Sequence, residues 1–367
     1  MNLTATKEQL LPIVARAVSI ADGKSLPILG HVLIDVNAGS IRATGCDLQT
    51  QIVATGSVDS KSSHMTIAAP AKKLADIVKM LPDGAAIKMK ADGERMTIQS
   101  GRSRYALACR SAEDFPGFEG RGEILVEQSI PAGAMLELLN RVRASAGQAD
   151  VRQYLNGVAI QFDGSVIRAV ASNGHRLSLM ETESDAKAQS RTAIVPNRGV
   201  IEICKILSAR DSDDRVSVSL KESVIRVDVG DILLSSKLIE GVYPDYRRVM
   251  PSETVASLVV NARDLSDALR RVQIINDDRT GVAMSASTDE ILLKAANAQA
   301  EESIESVPLI ESDAEHITHG YSAAYLIDAL ATCKTETARI ELASNGAALI
   351  SETGESPWRA LVMPMRL

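Results

Sequence analysis

The feature that most constrains this 367-residue chain is a long-period internal repeat. Three stretches with apolar residues at three- and four-residue spacing begin at Lys7, Pro131 and Asn261. This spacing predicts amphipathic helices. Each helix precedes a strand-rich stretch, a second helix and a second group of strands, with a period of roughly 120 residues. A segment of that length can bury its own core, so each repeat predicts a domain.

The alternating runs within each repeat predict antiparallel strands. They flank short polar turns, Asn37–Ser40, Phe162–Ser165 and Ser287–Glu290, whose Gly and Asp residues are typical of hairpins. We therefore predict an α+β fold of three similar domains, each with two helices and antiparallel sheets. Turn-like compositions near residues 122 and 252 give the boundaries. The predicted domains are N-terminal 1–122, central 123–252 and C-terminal 253–367.

Charge is distributed unevenly between the predicted helices and the rest of the chain. The helices carry 14 Lys and Arg against 7 Asp and Glu, whereas the chain as a whole has a net charge of −7. One interpretation is an ordinary solvated surface. The other is a shared basic helical face that contacts the backbone of a polyanion. The predicted helices cover 7–18, 71–82, 131–145, 197–210, 262–275 and 322–334.

Composition and short motifs exclude several classes of protein. No apolar run approaches the roughly 18 residues that span a bilayer, and the N-terminus lacks the order of a signal peptide, which predicts a cytoplasmic protein. The sequence has no P-loop, no G-x-S-x-G and no H-E-x-x-H motif. His316 and His319 lack a third ligand nearby. We therefore predict no enzyme activity, no catalytic residues, no cofactor and no metal site.

The four cysteines are far apart in the sequence. They form no C-x-x-C pair, which argues against both a zinc ribbon and a redox motif. We predict that they are free thiols, mostly buried. The four are Cys46, Cys109, Cys204 and Cys333.

Two short stretches call for a further explanation. The turn Ser172–Leu177, SNGHRL, places a histidine and an arginine at a strand end and by itself is typical of a solvated turn. The chain ends in Leu361–Leu367, LVMPMRL, although chain ends are usually polar and frayed. Such a tail is either a buried last strand or part of a surface that a partner covers.

Taken together, these stretches resemble the bacterial DNA polymerase III β subunits, the processivity sliding clamps. The resemblance covers essentially the whole chain. In that family three similar domains form the DNA-clamp fold, and two chains join head to tail in a ring around duplex DNA, with the helices inside. The stretches that carry the resemblance are LPILG from Leu26, GRSRYALACRSAEDFP from Gly101, DVRQYLNG from Asp150, SNGHRL from Ser172, LIEGVYPDYRRVMP from Leu238 and the terminal VMPMRL.

The resemblance implies a hydrophobic pocket for short peptide motifs between the second and third domains. Methionine adapts to varied apolar anchors, which suits such a pocket. Ser172 and Asn173 stand where many relatives have Thr and Asp, and Leu361 stands where some have Val. We expect Leu361 and Val362 to alternate between core and pocket, and Met363–Met365 to form an adaptable apolar surface. The implied pocket and its rim are Arg152, Tyr154, Leu155, Ser172, Gly174, His175, Arg176, Leu177, Pro244, Arg248, Val249, Tyr325, Leu361, Met363, Pro364, Met365 and Arg366.

The resemblance also implies a DNA-facing set of cations. Asn197 stands where a basic residue is common, and Asp277 and Asp278 precede Arg279 in a loop that often carries Lys, so weaker DNA contact is expected. For each cation alone, a solvated surface role is the alternative. The implied DNA-facing residues are Lys24, Lys72, Lys73, Arg198, Lys205, Arg210, Arg270 and Arg271.

The interface between two chains is implied to join a strand of one copy to a helix end of the other. Tyr105 and Leu107 share one face of an alternating strand, and the alternative is that they face only their own core. The implied interface residues are Arg102, Arg104, Tyr105, Leu107, Ile274 and Ile275.

The implied function is tethering of the polymerase by topology. The implied partners are duplex DNA without sequence specificity, a second copy of the chain, the polymerase III α subunit, the clamp loader, and other polymerases and repair proteins with a short clamp-binding motif. No membrane partner is implied. One alternative is a monomeric three-domain scaffold that binds peptides without encircling DNA, and another is an enzyme.

Overall fold

The helices of the computed structural model start close to where the sequence predicts them. The structure describes residues 2–60, 64–118, 120, 122–275 and 281–367. Helix α2 ends before Pro82, because a residue that precedes proline avoids the helical conformation, and α3 gives way to a 3-10 turn at Arg143–Ser145. The six helices within the described residues are α1 Lys7–Val18, α2 Ala71–Met80, α3 Ala132–Asn140, α4 Asn197–Leu207, α5 Ala262–Val272 and α6 Ala323–Thr332.

The first compact unit contains residues Met1–Ile130 and Asp214–Leu238. Among its described residues the strands form a five-stranded sheet, β5-β1-β7-β8-β9, and an eight-stranded sheet, β10-β13-β14-β15-β4-β3-β2-β6. The strands are β1 Asn2–Thr6, β2 His31–Asn37, β3 Ser40–Cys46, β4 Thr50–Ser57, β5 Asp59–Ser60, β6 Met65–Pro70, β7 Ala86–Asp92, β8 Arg95–Ser100, β9 Ser103–Ala108, β10 Val126–Pro131, β13 Arg215–Leu220, β14 Val224–Asp228 and β15 Ile232–Lys237.

The second compact unit contains residues Pro131–Asp213 and Ile239–Leu367. Its described residues form a ten-stranded sheet, β11-β12-β23-β22-β21-β16-β19-β18-β17-β20. The neighbouring strands are antiparallel, as the sequence predicts. The strands are β11 Gly157–Ser172, β12 Arg176–Pro196, β16 Thr254–Asn261, β17 Val282–Ala286, β18 Glu290–Ala296, β19 Glu302–Ser312, β20 Ile317–Tyr321, β21 Thr337–Ala343, β22 Ala348–Glu352 and β23 Trp358–Val362.

One predicted hairpin turn is wrong. The stretch Phe162–Ser165 does not reverse the chain but lies inside β11, which continues for 16 residues. Gly164 adopts a φ of 62° and shifts the register against β12, so the sequence Asp-Gly marks a bulge here. The chain instead reverses between Ser172 and Arg176, after the whole of β11 has paired with one long partner.

Helix α1 illustrates how a repeat covers its sheet. Thr6 and Gln9 form a capping box, in which Oγ of Thr6 accepts from the backbone N of Gln9 at 3.3 Å and Thr6 N donates to the Gln9 side chain at 2.9 Å. The apolar face of the helix is buried against β3 and β4. A Cβ on Gly45 would lie 1.8 Å from the carbonyl oxygen of Ala17, so only glycine allows this close approach.

The second unit has a buried polar contact between α3 and the last strands. Arg141 is 5% exposed and forms ion pairs with Glu137 at 3.1 Å and Glu352 at 2.8 Å. Its guanidinium lies 5.5 Å from the centroid of the Trp358 ring, and the indole N–H donates to the Arg141 carbonyl at 3.3 Å. Because a buried charge is stable only when it is paired, these contacts fix α3 against β22 and β23.

The cysteines are free thiols, as predicted. Cys46, Cys109 and Cys204 are buried, and Cys333 is half-buried. Burial raises the pKa of Cys109 and of Cys204 to about 11, so both thiols are protonated at neutral pH. Among the described residues, no helix combines the length and the apolar character that crossing a membrane requires.

Candidate functional site

The turn between β11 and β12 is held by its own side chains. The Asn173 side-chain oxygen accepts from the backbone N of His175 and of Arg176, each at 3.0 Å. The Ser172 hydroxyl donates to the Arg176 carbonyl at 2.8 Å and accepts from Gly174 N at 3.1 Å. Gly174 has a φ of 88°, which favours glycine. The turn is therefore preorganised. Its hydrogen bonds come from Ser172 and Asn173, the two residues that stand where many relatives have Thr and Asp.

Arg176 joins this turn to helix α6. Its guanidinium lies 4.4 Å from the centroid of the Tyr325 ring and donates to Asp328 at 2.5 Å and to the carbonyl of Ala144. The Asn173 amide donates to the Tyr325 hydroxyl at 3.2 Å. Arg176 is a fixed structural element, because its side chain is only 12% exposed.

Arg152 links the turn to Asp150. It forms a forked contact with Asp150, with distances of 3.0 Å from Nε to Oδ1 and 2.8 Å from Nη2 to Oδ2. Its Nη2 also donates to the carbonyl of Asn173 at 3.2 Å. Hydrogen bonds from the Arg152 side chain and backbone hold the pKa of Asp150 down at about 2, so this carboxylate stays charged.

The apolar members of the predicted site belong to one buried cluster. Leu155, Leu177 and Leu361 are each at most 5% exposed, and Tyr154 and Met363 pack against this cluster. Leu177 on β12 pairs directly with Leu361 on β23. These side chains therefore form the support of the site. The surface members, all of which are exposed, are Arg152, Gly174, His175, Pro244, Arg248, Val249 and Arg366.

The C-terminal tail is anchored on its own chain. The backbone N of Met363 donates to the His175 carbonyl, and that of Met365 donates to the Gly320 carbonyl, each at 2.9 Å. Val362 is 1% exposed, so it does not alternate with Leu361 between core and pocket as the sequence predicts. Leu361 is buried in the apolar cluster, and β23, which carries both residues, also packs against α6. Met363–Met365 are half-buried.

Sequence reasoning did not identify Tyr243 and Tyr246 as parts of this region. Both tyrosines belong to the buried cluster, and burial raises the pKa of Tyr243 well above its ordinary value. The stretch GVYPDYRR contains two of the six tyrosines of the chain within four residues, which is a signal that could have found them.

Seven of the eight predicted DNA-facing cations are exposed, and Arg210 is half-buried. At least three of them are paired with acids of their own unit, among them Arg270, which lies 3.8 Å from Asp267. Arg271 forms a forked contact with Glu305, at 3.0 and 2.8 Å, and Lys205 contacts Glu202 at 2.8 Å. These pairs reduce the positive charge of the predicted DNA-facing set. The change has the same sign as the weaker DNA contact expected from Asn197, Asp277 and Asp278. The loop residues Asp277, Asp278 and Arg279 lie outside the described residues.

The predicted interface residues lie at two surfaces, one in each unit. Strand β9 is the edge of the five-stranded sheet, with Tyr105 37% exposed and Leu107 buried at 7%. Arg102 and Arg104 are exposed. Leu107 thus faces its own core, which is the alternative stated above.

In the second unit, Ile274 is 80% exposed just beyond the end of α5, and Ile275 is half-buried. Residues 302–308 of β19 pair with β18, and β19 pairs with β16 only from Leu309 onward. Within the described strands, this first part of β19 therefore has a neighbour on one side only. Sequence reasoning missed this edge, although its alternation of Glu302, Ile304 and Ser306 is typical of an exposed strand face.

The three domains found by the repeat also appear in comparisons with protein families. Models of the N-terminal, central and C-terminal domains of the DNA polymerase III beta subunit match residues 1–119, 129–245 and 247–366. The chain belongs to the DNA polymerase III beta subunit family. The family consists of processivity factors of DNA replication, and processivity is the function class of this chain.

Curated relatives and solved structures of this family match over the full length. The beta sliding clamps of Escherichia coli K12 and of Salmonella typhimurium LT2 are each 34% identical over 370 residues, with 100% of both chains covered. A crystal structure of the Pseudomonas aeruginosa DNA polymerase III subunit beta has a TM-score of 0.95 at 32% identity, and a Caulobacter crescentus sliding clamp has 0.93 at 27%. Each covers 100% of both chains, so the α+β clamp fold is confirmed.

Proposed function

We propose that this chain is a non-catalytic cytoplasmic sliding clamp. Two copies form a head-to-tail ring that encircles duplex DNA without sequence specificity and tethers DNA polymerase III and other partners through short peptide motifs. The full-length match to beta sliding clamps is the observation that carries this proposal. The proposed domains are residues 1–122, 123–252 and 253–367.

The preorganised turn and the tail support peptide binding in the second unit. A flexible partner segment loses conformational entropy when it binds, so a rigid receptor limits the total cost. Val249, 48% exposed, and the half-buried Met363 and Met365 offer apolar contact. Arg248 adds positive charge at the surface of the site.

The two edge strands support self-association. Unpaired backbone groups on a strand edge form a template for another strand. Strand β9 carries Arg104, with Arg102 just before it, whereas the open part of β19 carries Glu302. Opposite charges on two different surfaces of one chain favour a heterologous contact, which closes into a ring if the rotation permits.

The exposed cations on α2, α4 and α5 support contact with DNA phosphates. They include Lys72 and Lys73 on α2 and Arg198 on α4. Such contacts position a protein on a duplex and carry no sequence information, which suits a clamp that moves along DNA.

Topological tethering is tested by the shape of the DNA. The full-length protein is loaded by a clamp loader and ATP onto nicked circular DNA, and half of the sample is then linearised. We expect retention on the circle and rapid loss from the linear molecule, because a ring can slide off an end. Equal loss from both would reject the ring, and a strict monomer at micromolar concentration would favour the peptide-binding scaffold instead.

The peptide site is tested by removing its anchored tail. Deletion of residues 363–367 removes the backbone contacts to His175 and Gly320, so we expect loss of binding to a peptide of the Gln-Leu-Phe type by isothermal calorimetry. The matched control deletes only Leu367, which is 66% exposed, and keeps the affinity. Unchanged affinity in the longer deletion, with the dimer still folded, would contradict the assignment.

A further inference from the structure

A basic depression lies on one face of the five-stranded sheet, apart from the helices. Lys88 and Lys90 alternate with the buried Ile87 and Met89 along β7, so both lysines point to the face away from the core. The pairing of β7 with β8 and of β8 with β9 shows which side chains lie beside these lysines on the same face. Lys88 lies opposite Gln99 on β8, and Gln99 lies opposite Arg104 on β9.

The depression has a volume of about 1150 Å³ and is open to solvent. Four cations line it, Lys88, Lys90, Arg95 and Arg104, together with only two acids, Asp59 and Asp92. Among the described residues, none of the four cations has an ion pair or a side-chain hydrogen bond. This differs from Arg271 and Lys205, whose charges are compensated by neighbouring glutamates.

Uncompensated cations on one face of a sheet repel one another and therefore do not stabilise the fold. They also produce a positive potential, which is strongest in a concave surface with a low-dielectric wall. The chain as a whole has a net charge of −7, so the sign of this face is opposite to the net charge of the chain. Its charge therefore suits an anionic ligand.

The side chains between the cations limit the class of that ligand. Tyr105 pairs with the buried Ile98 and thus faces the other side of the sheet, and none of the side chains that line the depression is aromatic. Base stacking on a single strand is therefore not supported. The lining also lacks large exposed apolar side chains, which an extended peptide needs as anchors.

We propose that this sheet face binds the phosphodiester backbone of duplex DNA, as a second DNA contact distinct from the helical face. Lysine and arginine neutralise phosphates, and Thr4, Thr97 and Gln99 supply further donors beside them. A contact of this kind is independent of sequence. Lys88 and Lys90 are the residues to test, because β8 separates them from the β9 edge that is proposed to join two copies.

The experiment uses DNA that cannot pass through a ring. The full-length dimer, without a loader, is titrated with relaxed, covalently closed circular duplex DNA over a series of salt concentrations. The test variant is Lys88→Ala/Lys90→Ala. The control, Arg42→Ala/Arg359→Ala, removes two exposed strand cations outside the depression and changes the net charge by the same amount.

We expect the test variant to bind the closed circle on the order of tenfold more weakly and its log–log salt slope to fall in magnitude by about two, one for each lost phosphate contact. The control should match the wild type. Equal affinity of the wild type and the test variant, or equal loss in the control, would overturn the proposal. Binding of an anionic polyglutamate peptide in place of DNA would overturn it in favour of a protein partner. Loader-dependent retention on nicked circles reports separately on the proposed clamp function.

Discussion

The turn Ser172–Arg176 and strand β9 differ in how their backbone N–H and C=O groups are paired. In the turn, side chains of the same chain satisfy the backbone, through Asn173, Ser172 and the guanidinium of Arg152. In β9, one side pairs with β8 and the other side is an edge, with five of its six residues exposed. The first surface is complete within one chain, and the second is completed only by another strand.

This difference predicts different responses to mutation. A preorganised site loses stability when one of its contacts is removed, because the contacts exist before any partner binds. In the proposed ring, the second copy covers the open edge, so a change there acts on association and leaves the single chain folded.

The largest expected effect is on association, from a charge placed beside the open edge of β19. Ile274→Asp puts a carboxylate on a side chain that is 80% exposed in the single chain. The proposed head-to-tail ring contains this surface twice, so two unpaired buried charges cost about 3 kcal/mol each and weaken dimerisation on the order of ten-thousandfold. Sedimentation equilibrium measures the dissociation constant.

The control for this change is Val242→Asp, which charges a side chain that is 88% exposed and lies outside the proposed interface. It should leave the dimer intact. A dimer equally stable in both variants would show that Ile274 is not part of the interface. The second copy would then not cover the open edge of β19.

A smaller effect is expected from Arg176→Ala within the turn. The change removes the contact with Asp328 and the cation–π contact with Tyr325, and it leaves the Ala144 carbonyl without this donor. We expect the free energy of unfolding to fall by about 2 kcal/mol, with no change in dimerisation. Urea denaturation measures it. Arg176→Lys should lower the free energy of unfolding by part of this amount, because an ammonium cannot reproduce the planar guanidinium fork.

Loss of dimerisation in Arg176→Ala at unchanged stability would reverse the comparison, since the turn would then depend on the second copy. An alanine variant as stable as the wild type would show that the turn is organised by Asn173 and Ser172 alone.

The smallest effect is the pH dependence of the Asp150–Arg152 contact. The pKa of Asp150 is lowered from 3.8 to about 2, so its contribution to stability is complete above pH 4 and is lost as the pH falls toward 2. Asp150→Asn should therefore lower the melting temperature at pH 7 and have a much smaller effect near pH 2. Calorimetry at several pH values checks this. A difference from wild type that stays constant from pH 7 to pH 2 would contradict the assignment.

Local patterns were enough to predict much of the fold. The three-four spacing at Leu10, Val14 and Ala17 placed α1 correctly, since these positions are the buried face. The Asp-Gly pair after Phe162 misled the prediction of a hairpin, because the turn type depends on the partner strand. Only the 21-residue β12 shows that β11 continues through Gly164.

The site shows a similar limit. The resemblance gathered Leu155, Leu177 and Leu361 into one region, and the structure places them in one cluster. It did not separate buried support from exposed surface, because that division depends on what packs against each face of β23. The pairing of Arg271 with Glu305 is likewise invisible in sequence, since 34 residues separate them along the chain.

The contact between Arg141 and Trp358 has a spectroscopic consequence. Trp358 is the single tryptophan of the chain and is 0% exposed, and it lies in the second compact unit. Its emission therefore reports when that unit opens to water, while the first unit contributes only tyrosine. A mismatch between the fluorescence and the far-ultraviolet circular dichroism transitions would resolve the two units as separate steps of unfolding in one unlabelled sample.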